Sequence, residues 1–123
     1  MFRAGVVTIY VSDMDRAVQF YTEALGFALK ERYGNHWASI DGGPGLTIGL
    51  HPATAEVPAG RQGSIALGLY LSQPIAEAVK TLTSRGIAFT GPVINDDGIL
   101  SLAFFTDPDG NSLYLAEMSQ SYK

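Results

Sequence analysis

Residues 11 to 27, "VSDMDRAVQFYTEALGF", describe a strand end, a sharp Ser-Asp turn, eleven or twelve residues with helical spacing and a glycine stop. The feature that most constrains the fold is that this unit returns sixty residues later. Tyr10, Ser12, Gly26 and Ala28 meet Tyr70, Ser72, Gly86 and Ala88. In the first copy, "GVVTIYV" places Val7, Ile9 and Val11 on one strand face and Val6, Thr8 and Tyr10 on the other. Ser12 or Asp13 can cap a helix whose Met14, Ala17, Val18, Phe20, Tyr21 and Leu25 form an apolar stripe, and Gly26 suits the left-handed position past its end. Phe27 to Tyr33, His36 to Ile40 and Leu46 to His51 then read as strands separated by "GN" and "DGGPG".

In the second copy Leu67, Leu69 and Leu71 repeat the aliphatic face. Pro74 falls in a helix's first turn, Ala78, Val79 and Leu82 supply the stripe, and Gly86 ends it. The strands that follow are expected at Ile87 to Thr90, Leu100 to Thr106 and Ser112 to Glu117. Two βα units of similar length can share a glycine stop by chance, but "HPATAEVPAGRQG" at 51 to 63 falls midway and is rich in Pro, Ala and Gly, as a connector would be. The expectation is an α+β chain of duplicated βαβββ modules. It forms one domain over 1–123, with module one at about 4–51, a linker at 52–63 and module two at about 64–119. Each half alone is marginal in size, so the halves should pack together or exchange with a second chain.

At 123 residues with 46% hydrophobic and 16% charged residues, the chain can bury a core without staples. It has no cysteine, which excludes disulfides, thiolate metal sites and cysteine nucleophiles. A net charge of −4 and eight scattered basic residues argue against a nucleic-acid partner. No apolar run approaches the ~20 residues a membrane span needs, and the first residues lack a secretory pattern, so no membrane partner and a cytoplasmic location are the expectations.

The quoted opening stretch resembles the strand-to-helix start of the vicinal oxygen chelate superfamily, and "FFTDPDGNSLYLAE" at 104 to 117 resembles its closing hairpin. That group includes glyoxalases, extradiol dioxygenases, and fosfomycin and bleomycin resistance proteins. The resemblance implies that each module curls its strands into a U-shaped sheet around a cavity, and that the chain forms a homodimer. Taken alone, "DPDG" is tight-turn chemistry and marks architecture.

The resemblance also implies where a metal would sit. Metal-dependent members use four side chains, from the first and last strand of each module, usually His, Gln or Glu. Counting from Asp13 and Asp107 puts Val6, Gly49, Ala66 and Tyr114 at those places, and a Lewis-acid site needs lone pairs that three of them lack. Slips of two along a strand keep the facing and offer Thr8, His51, Gly68, Ser112 and Ala116, of which only His51 is a good ligand. The expectation is therefore no metal and no cofactor. The chain is closest in character to the metal-free bleomycin-resistance branch, binding a small organic molecule, aromatic or cationic, by sequestration.

The residues expected at the ligand are Tyr10, Trp37, Gly49, His51, Ala66, Tyr70 and Tyr114. Aromatic walls suit planar ligands, and small residues leave room between them. Each has a plainer account: the tyrosines can pack with hydroxyls at water, Trp37 can be core, His36 an exposed turn residue, and His51 part of the linker. No phosphate loop or nucleophile elbow is present, and Asp13 with Asp15 and Asp96 with Asp97 read as capping and solvation. "GPVINDDGIL" at 91 to 100 is the least regular internal segment and can form a rim over a pocket. Two other readings stay open: a metal-dependent lyase, isomerase or dioxygenase with relocated ligands among His36, His51 and Glu117, and an interaction protein whose cavity its own side chains fill.

Overall fold

In the computed structural model, which describes residues 1, 5–60, 66–96 and 100–118, the first strand β1 (Val6–Val11) runs into the Ser-Asp turn. Asp13 caps α1 (Met14–Gln19), its carboxylate accepting from Arg16 N at 3.0 Å. The predicted single helix is instead two pieces, since Phe20–Ala24 is a π-helical turn in which Leu25 N bonds Phe20 O. Gly26 follows at φ 87°, and Gly86 occupies the same place in the second copy at φ 94°. A side chain is disfavoured in that region, which is why both helices stop on glycine.

Three strands complete the first sheet: β2 (Ala28–Tyr33), β3 (Trp37–Asp41) and β4 (Thr47–Pro52), in the spatial order β1-β4-β3-β2. β1 and β4 are parallel and the other pairs antiparallel. The second sheet has β5 (Leu67–Tyr70), β6 (Ile94–Asp96), β7 (Leu100–Thr106) and β8 (Ser112–Met118) in the order β5-β8-β7-β6, with α2 (Ile75–Ser84) after β5. Renumbered within its own module, each sheet has the same order and the same single parallel pair, so the duplication inferred from sequence is present in the topology. The fold class is α+β, with two four-stranded mixed sheets and no closed barrel.

One strand lies elsewhere than expected. Ile87 to Thr90 contribute only an isolated bridge, Phe89 to Phe105, and the edge strand is Ile94–Asp96. Ile87 is buried and its N–H closes the end of α2 on Leu82 O, so its apolar character seats the helix terminus. Phe89 stacks edge-on against Phe105 at 5.3 Å.

The chain divides into two compact units, Met1–Arg61 with Pro108–Asn111, and Gln62–Asp107 with Ser112–Lys123. The end of the expected linker, the first residues of module two and positions 97–99, with Asp97, lie outside the described residues. In unit 1, Met14, Ala17 and Tyr21 are buried, as are Val11, Ala38, Ile40, Ile48 and Leu50 on the sheet, and α1 packs on β4. Burial of an aliphatic chain of this size stabilises by about 1.5–3 kcal/mol. In unit 2, Ile75, Ala78 and Leu82 of α2 face Ala103, Phe105, Leu113 and Leu115 on β7 and β8. Both helices therefore cover one face of their sheet, and residues of the opposite parity form a second, helix-free face.

Candidate functional site

In unit 1 the register gathers the predicted residues on the helix-free face. Thr8 pairs with Gly49, Gly49 with Ser39, and Ser39 with Glu31, which makes one row across all four strands. The neighbouring row contains Tyr10 opposite His51 and Trp37 opposite Tyr33. Tyr10 and His51 are in ring contact, centroids 5.1 Å apart and tilted by 52°. The His51 Nδ1 lies 2.7 Å from Pro52 O, and since a carbonyl only accepts, Nδ1 carries a proton.

Trp37 leans back from its own row across Gly49. A Cβ built at position 49 would overlap the six-membered ring of the indole, so the ring lies directly on the glycine backbone. Beside it Ser39 is only 6% exposed, and its hydroxyl has no hydrogen-bond partner among the described residues. At the edge, exposed Tyr33 donates to Glu31 Oε2 at 2.9 Å, and that bond together with the carboxylate's charge holds the phenol above its ordinary value.

Unit 2 repeats the device on different strands. Gly68 pairs with Tyr114 and Tyr114 with Phe104, and the Tyr114 ring covers Gly68, where a Cβ would again overlap it. Phe104 tilts against Tyr114 at 5.5 Å between centroids. Tyr70 lies on the same face, opposite Ala116, and is 80% exposed. Ala66 precedes β5 and is exposed.

Tyr10, Trp37, Gly49 and His51 therefore come together in unit 1, while in unit 2 Tyr114 is joined by Gly68 and Phe104. Sequence reasoning passed over Ser39 and Phe104. Phe104 was findable, since it has the parity of Tyr114's face, whereas the missing partner of Ser39 has no signature in the sequence.

The donor chemistry does not match the implied metal site. The four places hold two aliphatic side chains, a glycine and a phenol, and among the described residues no three His, Cys, Asp or Glu gather to hold a metal ion. Of the relocated candidates, His36 is exposed in the β2–β3 turn, and Glu117 points to the helix side, where its Oε1 accepts from Ile75 N at 2.9 Å.

A cavity of about 250 Å³ in unit 1 lies elsewhere, at the start of α1, lined in part by Ser12, Asp13, Asp15, Asn35 and Pro52. It contains none of the predicted ligand residues. Its polar groups already have partners: Asp13 caps α1, Asp15 pairs with Arg32 at 2.6 Å, Asn35 Oδ1 accepts from Arg32, and Ser12 donates to Asp109 through its N–H and hydroxyl. Satisfied donors and an open polar lining make it a poorer ligand site than the aromatic face.

Comparison with known proteins agrees with this architecture. An uncharacterized protein of Mycolicibacterium smegmatis is 32% identical over 109 residues, covering 88% of this chain and 87% of the relative. Among solved structures, TnmS3, an antibiotic binding protein from Streptomyces sp. CB03234, superposes with a TM-score of 0.77 at 27% identity, covering 97% of this chain and 98% of that one. A glyoxalase/bleomycin resistance protein/dioxygenase from Nocardioides superposes with a TM-score of 0.76 at 25% identity, covering 98% and 85%. A family profile matches residues 3–115, nearly the whole chain, and with the duplicated topology it shows that the chain belongs to the Glyoxalase/Bleomycin resistance protein/Dioxygenase superfamily.

Proposed function

We propose that this chain binds a small planar organic molecule without a metal, in the manner of a sequestering protein, through the aromatic residues on its helix-free faces. One observation carries the reading: in each unit an aromatic side chain lies over a glycine, Trp37 over Gly49 and Tyr114 over Gly68, at places where metal-dependent relatives would need lone-pair donors. A glycine lets a flat apolar body lie against the backbone, and a few polar groups then fix its orientation. TnmS3, an antibiotic binding protein, supports a small-molecule ligand in general. In this reading Tyr10, Trp37, Gly49, His51, Ala66, Tyr70 and Tyr114 are ligand residues, no cofactor takes part, and the protein works in the cytoplasm as a homodimer.

The test is a thermal-shift screen of the purified protein against planar aromatic and cationic compounds, followed by calorimetry of the hits. A ligand at a hundred times its dissociation constant adds about 2.7 kcal/mol, a shift of several degrees for a domain of this size. Tyr10→Ala should reduce the shift. Elemental analysis after exposure to nickel, manganese, zinc and iron should find no stoichiometric ion, and one tightly held ion per site would overturn the proposal.

A second reading, an interaction protein with a filled hollow, draws on the same contacts, because the chain's own rings occupy both glycine platforms. A screen in which no compound shifts the melting temperature favours it.

A further inference from the structure

Ser39 stands out in unit 1. Its hydroxyl is buried on the helix-free face and lacks a hydrogen-bond partner among the described residues, a condition that costs stability and is rare in native proteins unless something outside the chain completes it. Its neighbour across the ladder is Gly49, and over Gly49 lies the indole of Trp37, the only tryptophan in the chain. Beyond Gly49, on β1, the next residue in the row is Thr8. The row thus offers a flat glycine platform with one hydroxyl on either side. With strands about 4.8 Å apart, the two flanking backbones are about 10 Å from each other.

We infer that the Trp37 indole is a displaceable occupant of this platform, and that Ser39 is the specificity-determining hydroxyl of the ligand that replaces it. The inference rests on the small-molecule reading above and deepens it. The ligand is a fused planar compound of about two rings or more. It carries a hydroxyl or carbonyl on the edge that meets Ser39, and an opposite edge that reaches Thr8. When it arrives, the indole leaves Gly49 and the ligand's ring takes the same layer. Ser39 Oγ then gains the partner it lacks. Discrimination comes from Ser39 more than from Thr8, because Thr8 is exposed to solvent, whereas an unmatched buried hydroxyl penalises any ligand that leaves it bare.

The experiment compares 2,6-dihydroxynaphthalene with 2,6-dimethylnaphthalene, which has the same shape without the hydroxyls. Binding is measured by calorimetry, with the single tryptophan replaced by 5-fluorotryptophan for ¹⁹F NMR. The wild type should prefer the dihydroxy compound, and Ser39→Ala should reduce that preference about three- to tenfold. Ser39→Ala should melt no lower than the wild type, since it removes an unsatisfied group; a merely structural hydroxyl would lower the melting temperature when lost. Bound ligand should move the ¹⁹F resonance toward its solvent-exposed position. Gly49→Ala, whose new methyl takes the indole's place, should show that position with no ligand and bind neither probe. An unchanged preference in Ser39→Ala, a lower melting temperature for it, or a ¹⁹F resonance indifferent to bound ligand overturns this inference alone. A wild type that binds neither naphthalene overturns the functional reading with it.

Discussion

At position 68 a missing side chain and at position 114 a large one are complementary: the Tyr114 ring fills the volume a Cβ on Gly68 would claim. The outer end of the ring and its hydroxyl both lie there, with Phe104 tilted beside the ring. Tyr114→Phe keeps the ring and should stay within about 1 kcal/mol of the wild type in urea unfolding, whereas Tyr114→Ala, which strips cover from Gly68 and contact from Phe104, should cost about 2–3 kcal/mol, below the ~3–5 kcal/mol of a fully buried aromatic because the site is half-buried. A large loss from Tyr114→Phe would instead assign the stability to the hydroxyl. Side-chain facing at these positions was legible from the sequence, because strand alternation alone puts Tyr10, Gly49, His51, Gly68, Tyr70 and Tyr114 opposite the aliphatic stripe. Which ring rests on which glycine was not legible. Trp37 reaches across a strand to Gly49, while in the second copy the overlying ring comes from β8 and the glycine from β5, so no single spacing encodes the contact.

Among the elements, α2 shows how a helix is held from a distance. Its N-cap residue is Pro74, which supplies no side-chain bond to the first turn, and the Glu117 carboxylate on β8 accepts from Ile75 N instead. A carboxylate at a helix N-terminus both satisfies an orphan N–H and meets the positive end of the helix dipole. Glu117→Ala should thus destabilise unit 2 by about 1 kcal/mol, with Glu117→Gln losing less because the amide oxygen still accepts; chemical denaturation at neutral pH gives both values. An unchanged unfolding midpoint for Glu117→Ala would remove the carboxylate from the account of this helix. Strand parity alone puts Glu117, three residues beyond Tyr114, on the helix side, but its capping role depends on a contact 42 residues away in sequence. The displaced edge strand has a comparable cause. Ile87 and Phe89 look like a strand by composition, yet Ile87 closes the helix end and Phe89 makes one isolated bridge to β7, and a continuous ladder with β7 forms only after Pro92, at Ile94–Asp96. The π-helical turn at Phe20–Ala24 likewise follows from tertiary packing of Tyr21, which is wholly buried, and local propensity gives no notice of it.

For the whole molecule, the two sheets share an order but differ in how their edges are protected. β2, "ALKERY", carries Lys30, Glu31 and Arg32 and a register irregularity between Leu29 and Glu31, both of which discourage further pairing. β6 has only three residues, and short edges template poorly. The other two edges lack such devices: β1, "VVTIYV", and β5, "LGLY", contain no charge and no proline, and Val6 and Tyr70 are exposed large side chains on them. An uncharged edge with apolar residues at its surface is where a second chain adds most readily, and this supports the homodimer of our proposal. Light scattering coupled to size exclusion should give twice 13.1 kDa for the wild type. Val6→Lys puts a charge on β1, at a position 51% exposed and so outside the core, and should shift the mass toward one chain while circular dichroism and the melting profile still report a folded protein. A wild type that elutes as a single chain at micromolar concentration would show that the β1 edge is tolerated bare, and a dimer that survives both Val6→Lys and Tyr70→Lys would place the interface away from β1 and β5.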